Sequence, residues 1–300
     1  SKMRKNHIVE HKMSTKNWNE INYKNVPSVA MSRYTKAFQK NDAERFEKYK
    51  EALKSGKTTV NADVLFPHDC VRTVLNGNRE IANAQFDALP NYMDGVDERI
   101  IVISDTSGSM GTPVSGSITA YDISVGMALY CSAKIGPDNP FYKKFIGFCS
   151  EGSFKNWFGM TFSQAVKSRK IFNGAVGSTR IDKALNLILD TAKYFNLTND
   201  QIPTTLLIIS DMQFHHGVVG DDTEVKNCLK LWKEAGYRIP KIIYWNTDGY
   251  AGSPETAFTK NTVMVSGFSP SILKSIFSAE DLSPKDVMLR ALEKYNIIVP

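Results

Sequence analysis

The chain has 300 residues, 37 Lys/Arg against 31 Asp/Glu for a net charge of +6, and 42% hydrophobic residues, enough for the core of one large domain or two smaller ones. No apolar run reaches the length of a membrane-spanning helix, and Ser1-Lys2-Met3-Arg4-Lys5 has no apolar stretch behind it, so neither a membrane span nor a signal peptide is expected. The four cysteines, Cys70, Cys131, Cys149 and Cys228, form no Cys-x-x-Cys pair; this is the pattern of free buried thiols in a reducing, cytoplasmic setting, not of a disulfide framework.

Charge is uneven along the chain. Residues 1–60 hold 14 Lys/Arg against 6 Asp/Glu and the rest hold 23 against 25, so the first 60 residues carry +8 and the remainder −2. Such a basic segment, with Lys2, Arg4, Lys5, Lys12, Lys16, Arg33 and Lys36 as candidate contacts, can attract RNA by counterion release, or it can simply be a solvated helical face. Residues 1–95 read as helices and loops. Pro27-Ser28 opens a helix with Ala30, Tyr34, Ala37 and Phe38 on one side. Asn41-Asp42-Ala43-Glu44 reads as an N-cap followed by a third-position Glu. The helix behind it turns Phe46, Tyr49 and Leu53 inward and stops at Gly56. A short helix from Pro67 carries Cys70, Val71, Val74 and Leu75, and a fourth spans Ile81 to Leu89. Trp18, Tyr23 and Tyr34 are aromatics among basic residues; they can stack on bases, but aromatics at helical spacing also make cores.

From residue 96 the pattern becomes apolar strands alternating with helices. Strands are predicted at 99–105, 143–149, 155–160, 204–211, 241–246 and 262–266. A helix at 120–135 is apolar nearly all round. A helix from Arg180 places Ile181, Ala184, Leu185, Ile188, Leu189 and Ala192 on a 3.6-residue period. Further helices are predicted at 223–235, 270–278 and 284–295. This alternation implies an α/β domain: a doubly wound, mostly parallel six-stranded sheet, preceded by a smaller all-helical segment. In the order 3-2-1-4-5-6, the first and fourth strands are neighbours at the switch point where such sheets bind ligands. The first strand ends in Asp105 and the fourth in Asp211.

The chemistry-bearing residues converge on that point. Asp105-Thr106-Ser107-Gly108-Ser109 puts a carboxylate and two hydroxyls at alternate positions of a strand-to-turn junction. Thr179 precedes the helix at Arg180, and Asp211 ends the fourth strand. Thr179-Arg180-Ile181-Asp182 also reads as a capping box. Two carboxylates and three hydroxyls from separate loops suit a hard cation, Mg²⁺ or Mn²⁺ with Ca²⁺ a third option. The set resembles the metal-ion-dependent adhesion site of von Willebrand factor A domains, Asp-x-Ser-x-Ser followed by a distant Thr and a distant Asp. That resemblance implies a Rossmann-like A domain over 96–300 and a binding function. Asp105, Ser107, Ser109, Thr179 and Asp211 would hold the metal, and a protein partner would offer it a carboxylate or a phosphate. His215 and His216 follow Asp211 as candidate rim residues.

The helical half extends the resemblance. Trp18-Asn19-Glu20-Ile21-Asn22-Tyr23, Val26-Pro27-Ser28-Val29-Ala30-Met31, Asn61-Ala62-x-x-Leu65-x-Pro67, Ser210-Asp211-Met212-Gln213-Phe214 and Tyr244-Trp245-Asn246 look like an uncharacterised von Willebrand A family found in viruses, bacteria and plants. That family is similar in layout to the Ro autoantigen (TROVE) proteins, whose helical-repeat ring binds RNA. The resemblance implies that 1–95 is the end of a larger helical domain. Enzyme chemistry is not expected. Gly56-Lys57-Thr58 lacks the first Gly of a Walker A loop, Glu51 standing in its place. Ser107 replaces the second Asp of a haloacid-dehalogenase-type phosphatase, and no Gly-x-Ser-x-Gly elbow occurs. A metal-assisted hydrolase is the remaining enzymatic reading, and no general base is recognisable for it. The loops 111–118, 212–222 and 247–260 follow strand ends and are the expected contact surface.

Overall fold

The computed structural model describes residues 8–60, 62, 64–168, 171–172, 179–214, 223–248, 262–267, 269, 272–273 and 276. The chain divides into two units, residues 1–90 with 160–167, and residues 91–159 with 168–300.

The first unit is helical: α1 (Val9–Ser14), α2 (Ser28–Asn41), α3 (Ala43–Lys54), α4 (Pro67–Leu75) and α5 (Arg79–Asp87), with 3-10 turns at Trp18–Glu20 and Tyr23–Asn25. Its core is aromatic. Tyr23 lies 5.2 Å from Phe38, 5.1 Å from Phe46 and 5.5 Å from Tyr49, centroid to centroid. Trp18 and Tyr34 pack against the same cluster, so these rings build a core instead of a base-stacking platform. The buried face of α2 is Ser28, Met31, Thr35 and Phe38, one position round from the expected Ala30-Tyr34-Ala37-Phe38 side. A threonine is tolerated there because its hydroxyl donates to Met31 O at 2.6 Å. Asp42 occupies the N-cap of α3 but makes no side-chain cap bond. Its carboxylate accepts from Tyr23 Oη at 2.6 Å and Arg45 Nη1 at 2.9 Å instead. Leu75, expected inside, is exposed at the end of α4.

The second unit carries the sheet: β1 (Ile100–Asp105), β4 (Lys144–Phe148), β5 (Gly152–Asn156), β6 (Thr205–Ser210), β7 (Lys241–Asn246) and β8 (Thr262–Ser266), in the order β5-β4-β1-β6-β7-β8. Between β1 and β4 lie a small hairpin, β2 (Pro113–Ser115) and β3 (Ile118–Thr119), and α6 (Ala120–Lys134). α7 (Phe162–Lys167) belongs to the first unit, where Phe162 stacks on Phe86 at 4.0 Å. α8 (Ile181–Tyr194) and α9 (Thr223–Glu234) complete the second unit. Within this six-stranded sheet all pairings are parallel except β4–β5. In the expected numbering this is the order 3-2-1-4-5-6. β1 and β6 are buried at every position, which is why both read as unbroken apolar runs with no alternation. The third strand lies at Gly152–Asn156, earlier than the expected 155–160. Trp157 leaves the ladder to bury its ring and donates Nε1–H to Ser132 Oγ at 3.1 Å, and Gly159 turns the chain at φ 72°. α7 had no counterpart among the expected elements. The helices expected at 270–278 and 284–295 fall largely or wholly outside the described residues.

α8 and α9 cover one sheet face. Ile101, Ile103, Ile146, Leu206, Ile208, Ile242 and Tyr244 meet Ile181, Leu185, Ile188, Leu189 and Trp232 in one cluster. α6 is buried nearly all round, as its composition implied. It packs on β1, where Ser104 Oγ and Ser124 Oγ lie 2.8 Å apart. All four cysteines are free and buried.

Candidate functional site

The register of the two central strands builds the site. Ser104 pairs with Ile209, so Asp105 comes level with Ser210, and Asp211 follows one residue beyond the strand. Burial of these ends is complete: Asp105 and Ser210 are 0% exposed and Asp211 is 1% exposed. Ser210 Oγ–H donates to Asp105 Oδ2 at 2.6 Å, and Ser107 N–H donates to Asp105 Oδ1 at 2.8 Å. Ser107 Oγ and Ser109 Oγ lie 3.1 Å apart. The same loop reaches Asp211, whose N–H donates to Met110 Sδ at 3.2 Å. Past the strand, Gln213 N–H donates to Asp211 Oδ1 at 3.0 Å and Met212 N–H to Ser210 Oγ at 3.0 Å, with Met212 at φ 62°. A non-glycine residue in that left-handed region is strained and persists only where its surroundings fix it. Here the fixed turn carries the backbone round Asp211.

Asp105, Ser107, Ser109 and Asp211 are thus joined by one network. Thr179 reaches the same edge through its neighbour. Arg180 N–H donates to Cys149 O at 2.8 Å, and the preceding Phe148 O accepts from Thr106 N–H at 2.9 Å and Thr106 Oγ1 at 3.1 Å. Thr179 is buried. It does not cap α8: the cap position falls on Arg180, and Arg180 Nε and Nη2 grip the Asp182 carboxylate at 2.8 Å each. The capping-box alternative is therefore corrected, because its acidic member is occupied by an arginine.

Electrostatics single out the two carboxylates. Burial pushes the Asp105 carboxyl up to about 6; the bonds from Ser210 and Ser107 oppose the shift and the nearby Asp211 charge adds to it. Asp211 Oδ2 is buried and has no hydrogen-bond partner among the described residues. Among the described residues no arginine, lysine or histidine is paired with either carboxylate, and no group of three or more His, Cys, Asp or Glu is placed to hold a metal. Any cation here would rest on two carboxylates and on hydroxyls. The residues present fit a hard ion of that kind: oxygen donors only, one carboxylate oxygen open, and buried negative charge lacking a counter-charge.

Of the other candidates, His215 and His216 lie outside the described residues, as do Lys2, Arg4 and Lys5. Lys12 Nζ donates to Glu20 O at 2.7 Å, whereas Lys16, Arg33 and Lys36 are exposed. Much of the expected contact loops 212–222 and 247–260 also lies outside; the loop 111–118 holds the β2–β3 hairpin. Ser210 and Met110 were not among the expected site residues. The signal for Ser210 was present, since a lone hydroxyl ends an otherwise apolar strand beside Asp211. Nothing in the sequence marks Met110, because methionine reads as core.

These features define a class: a doubly wound α/β unit with an oxygen-lined edge at its switch point. Residues 99–295 match the model of a domain of unknown function, DUF7788, and residues 1–98 match a second, DUF2828. The chain belongs to the DUF7788 family. The uncharacterized protein L728 of Acanthamoeba polyphaga mimivirus is 28% identical over 311 residues, covering 96% of this chain and 52% of L728. The chain spans about half the length of that relative. The crystal structure of the Deinococcus radiodurans RO (RSR) protein is similar at a TM-score of 0.48 and 15% identity, covering 89% of this chain and 51% of that one.

Proposed function

We propose that this chain is a metal-dependent binding module of von Willebrand A type, not an enzyme. Its sheet edge would hold Mg²⁺, with Mn²⁺ or Ca²⁺ able to substitute, through Asp105, Ser107, Ser109, Thr179 and Asp211. The observation that carries the reading is the buried, unpartnered Oδ2 of Asp211 next to a second buried carboxylate. Hydroxyl donors are neutral, so a bound divalent cation keeps residual positive charge and attracts an acidic group from a protein partner. Both carboxylates are committed to that task, which leaves neither as a general base. Titration calorimetry with Mn²⁺ tests the site: the intact chain should bind one ion and Asp105→Ala none. A partner should then be released by chelator. Unchanged Mn²⁺ affinity in Asp105→Ala would end the assignment.

A second reading, RNA held by the basic first unit, has one observation in its favour. Arg33, Lys36 and Lys40 are exposed at i, i+3 and i+7 of α2, one continuous basic stripe. RNA affinity should fall steeply with salt. Replacing the three residues by Glu should remove it without touching Mn²⁺ binding.

A further inference from the structure

The site's oxygen set, as the sequence pattern gives it, stops at β6. The neighbouring strand, β7, is followed by a residue with no role in that set, Thr247. The β6–β7 ladder closes on Ser210 paired with Asn246, and Thr247 N–H donates to Ser210 O at 3.0 Å. Thr247 therefore stands beside Asp211, each one step past the last rung. Alternation fixes which way they face. Leu206, Ile208, Ile242 and Tyr244 point into the α8–α9 core, and their neighbours Leu207, Ile209, Ile243 and Trp245 are buried outside it. Asp211 and Thr247 continue that second series, so both side chains rise on the same side of the sheet. Thr247 is 3% exposed, and its Oγ1, like Asp211 Oδ2, is buried with no hydrogen-bond partner among the described residues.

Two adjacent strand ends thus each carry a buried oxygen without a partner, on one face, and the two are not bonded to each other. An unmet buried hydroxyl and an unmet buried carboxylate oxygen each cost stability, a cost that a shared ligand would remove. We infer that Thr247 is a further oxygen of the site, sharing with Asp211 one hydrated divalent cation, whose water the hydroxyl receives. This rests on the metal-binding reading and extends it to β7. The neutral hydroxyl suits the role because it adds a contact without a third negative charge.

The test uses the intact chain and Mn²⁺ alone, with Thr247→Val and Thr247→Ser. Valine keeps the shape and removes the oxygen, so the fold is preserved; serine keeps the oxygen. Groups that orient bound metal from outside its direct ligands typically change affinity by 10–100-fold, and Thr247→Val should weaken Mn²⁺ binding by about tenfold, with Thr247→Ser near the parent. The same Val variant should melt higher than the parent without metal, because an unmet hydroxyl has gone, and should gain less from added Mn²⁺. If the parent binds Mn²⁺, Asp211→Ala does not, and Thr247→Val binds as tightly as the parent, then Thr247 is no part of the site and the metal reading stands. If the parent binds no Mn²⁺, the metal reading falls and this inference with it.

Discussion

Each unit of this chain sets carboxylates in a hydrogen-bond network, and the two units treat them differently. In the first unit, Asp42 accepts from the Tyr23 hydroxyl at 2.6 Å and from Arg45 at 2.9 Å, while Arg45 also donates to Trp18 O at 2.7 Å and Ile21 O at 2.6 Å. Arginine supplies the positive charge, and every bond serves to tie the 3-10 turns to α2 and α3. In the second unit, Asp105 and Asp211 lie deeper, at 0% and 1% exposure. Their partners are hydroxyls and backbone N–H groups, and one oxygen is left over. A carboxylate that serves the fold brings its counter-charge within the chain. On the proposed reading, a carboxylate that serves a ligand leaves the counter-charge to be supplied from outside, and the protein without that ion carries the desolvation cost. The contrast separates two sorts of substitution.

Removing the arginine should have the largest effect on stability. Arg45→Ala leaves Asp42 with the Tyr23 hydroxyl alone and takes the guanidinium donor from the Trp18 and Ile21 carbonyls, and the loss of these three bonds should destabilise the chain by about 3 kcal/mol. Mn²⁺ affinity should be unchanged. Denaturant melts alongside calorimetry check both halves; a loss of metal binding in this variant would blur the distinction drawn here.

Asp105→Asn should act in the opposite direction on the metal-free chain. The carboxyl is raised from 3.8 to about 6, a difference worth about 3 kcal/mol at neutral pH. An acid whose folded value lies above its unfolded one holds more protons in the native state. Metal-free stability should therefore decline as pH rises from about 4 to about 6 and level off above that. In Asp105→Asn this decline should be largely absent, the protein should be more stable than the parent at pH 7, and Mn²⁺ binding should be lost. Equal stabilities of variant and parent at pH 7 in chelator would mean that the carboxylate is no burden to the metal-free fold.

How far these assignments were legible in the sequence depends on what sets each feature. The strand order followed from alternation and topology, because buried parallel strands leave unbroken apolar runs such as Ile100–Ile103 and Leu206–Ile209. The nearness of the Asp105 and Asp211 strand ends followed from that order, though Asp105 stands level with Ser210 and not with Asp211. Local polar bonds were less legible. Asp42 looked like a cap and is a tertiary bond acceptor, and Thr179-Arg180-Ile181-Asp182 looked like a box that Arg180 dismantles, since a cap motif does not state what else competes for its acid. Trp157 read as strand because aromatics favour strands; its indole N–H found Ser132, far away in sequence. Thr247 was unreadable, because its interest lies in having no partner, and only packing shows that.

Ser210→Ala probes the site's support. Its hydroxyl donates to Asp105 Oδ2 and accepts from Met212 N–H, so it fixes both the first carboxylate and the turn after the second. Loss of it should cost about 1–2 kcal/mol and weaken Mn²⁺ by about tenfold. If the melting point falls and Mn²⁺ affinity stays, Ser210 serves the fold alone, as Asp42 does.

The smallest effect on stability is expected at Arg180. Its guanidinium grips Asp182 with two bonds of 2.8 Å; it is one-third exposed against an 11% exposed carboxylate side chain, and such a partly exposed pair contributes about 1 kcal/mol. Arg180→Ala should therefore change stability by about 1 kcal/mol, less than Arg45→Ala, whose guanidinium also holds two backbone carbonyls. Its effect on the site should be clearer. With the arginine gone, Asp182 is able to accept from Thr179 N–H, and the Thr179 hydroxyl is able to turn to the first turn of α8, closing the capping box that the sequence spells. A hydroxyl engaged in capping is withdrawn from the proposed metal site, so Mn²⁺ affinity should drop severalfold while the helix is, if anything, better capped. Adding Asp182→Ala to Arg180→Ala removes the acidic half of the box and should restore part of the affinity. Mn²⁺ titrations of the two variants decide it: equal affinity in Arg180→Ala and the parent would show that Thr179 contributes no oxygen to the ion, and the ligand set would shrink to the two carboxylates and the serines of the first loop.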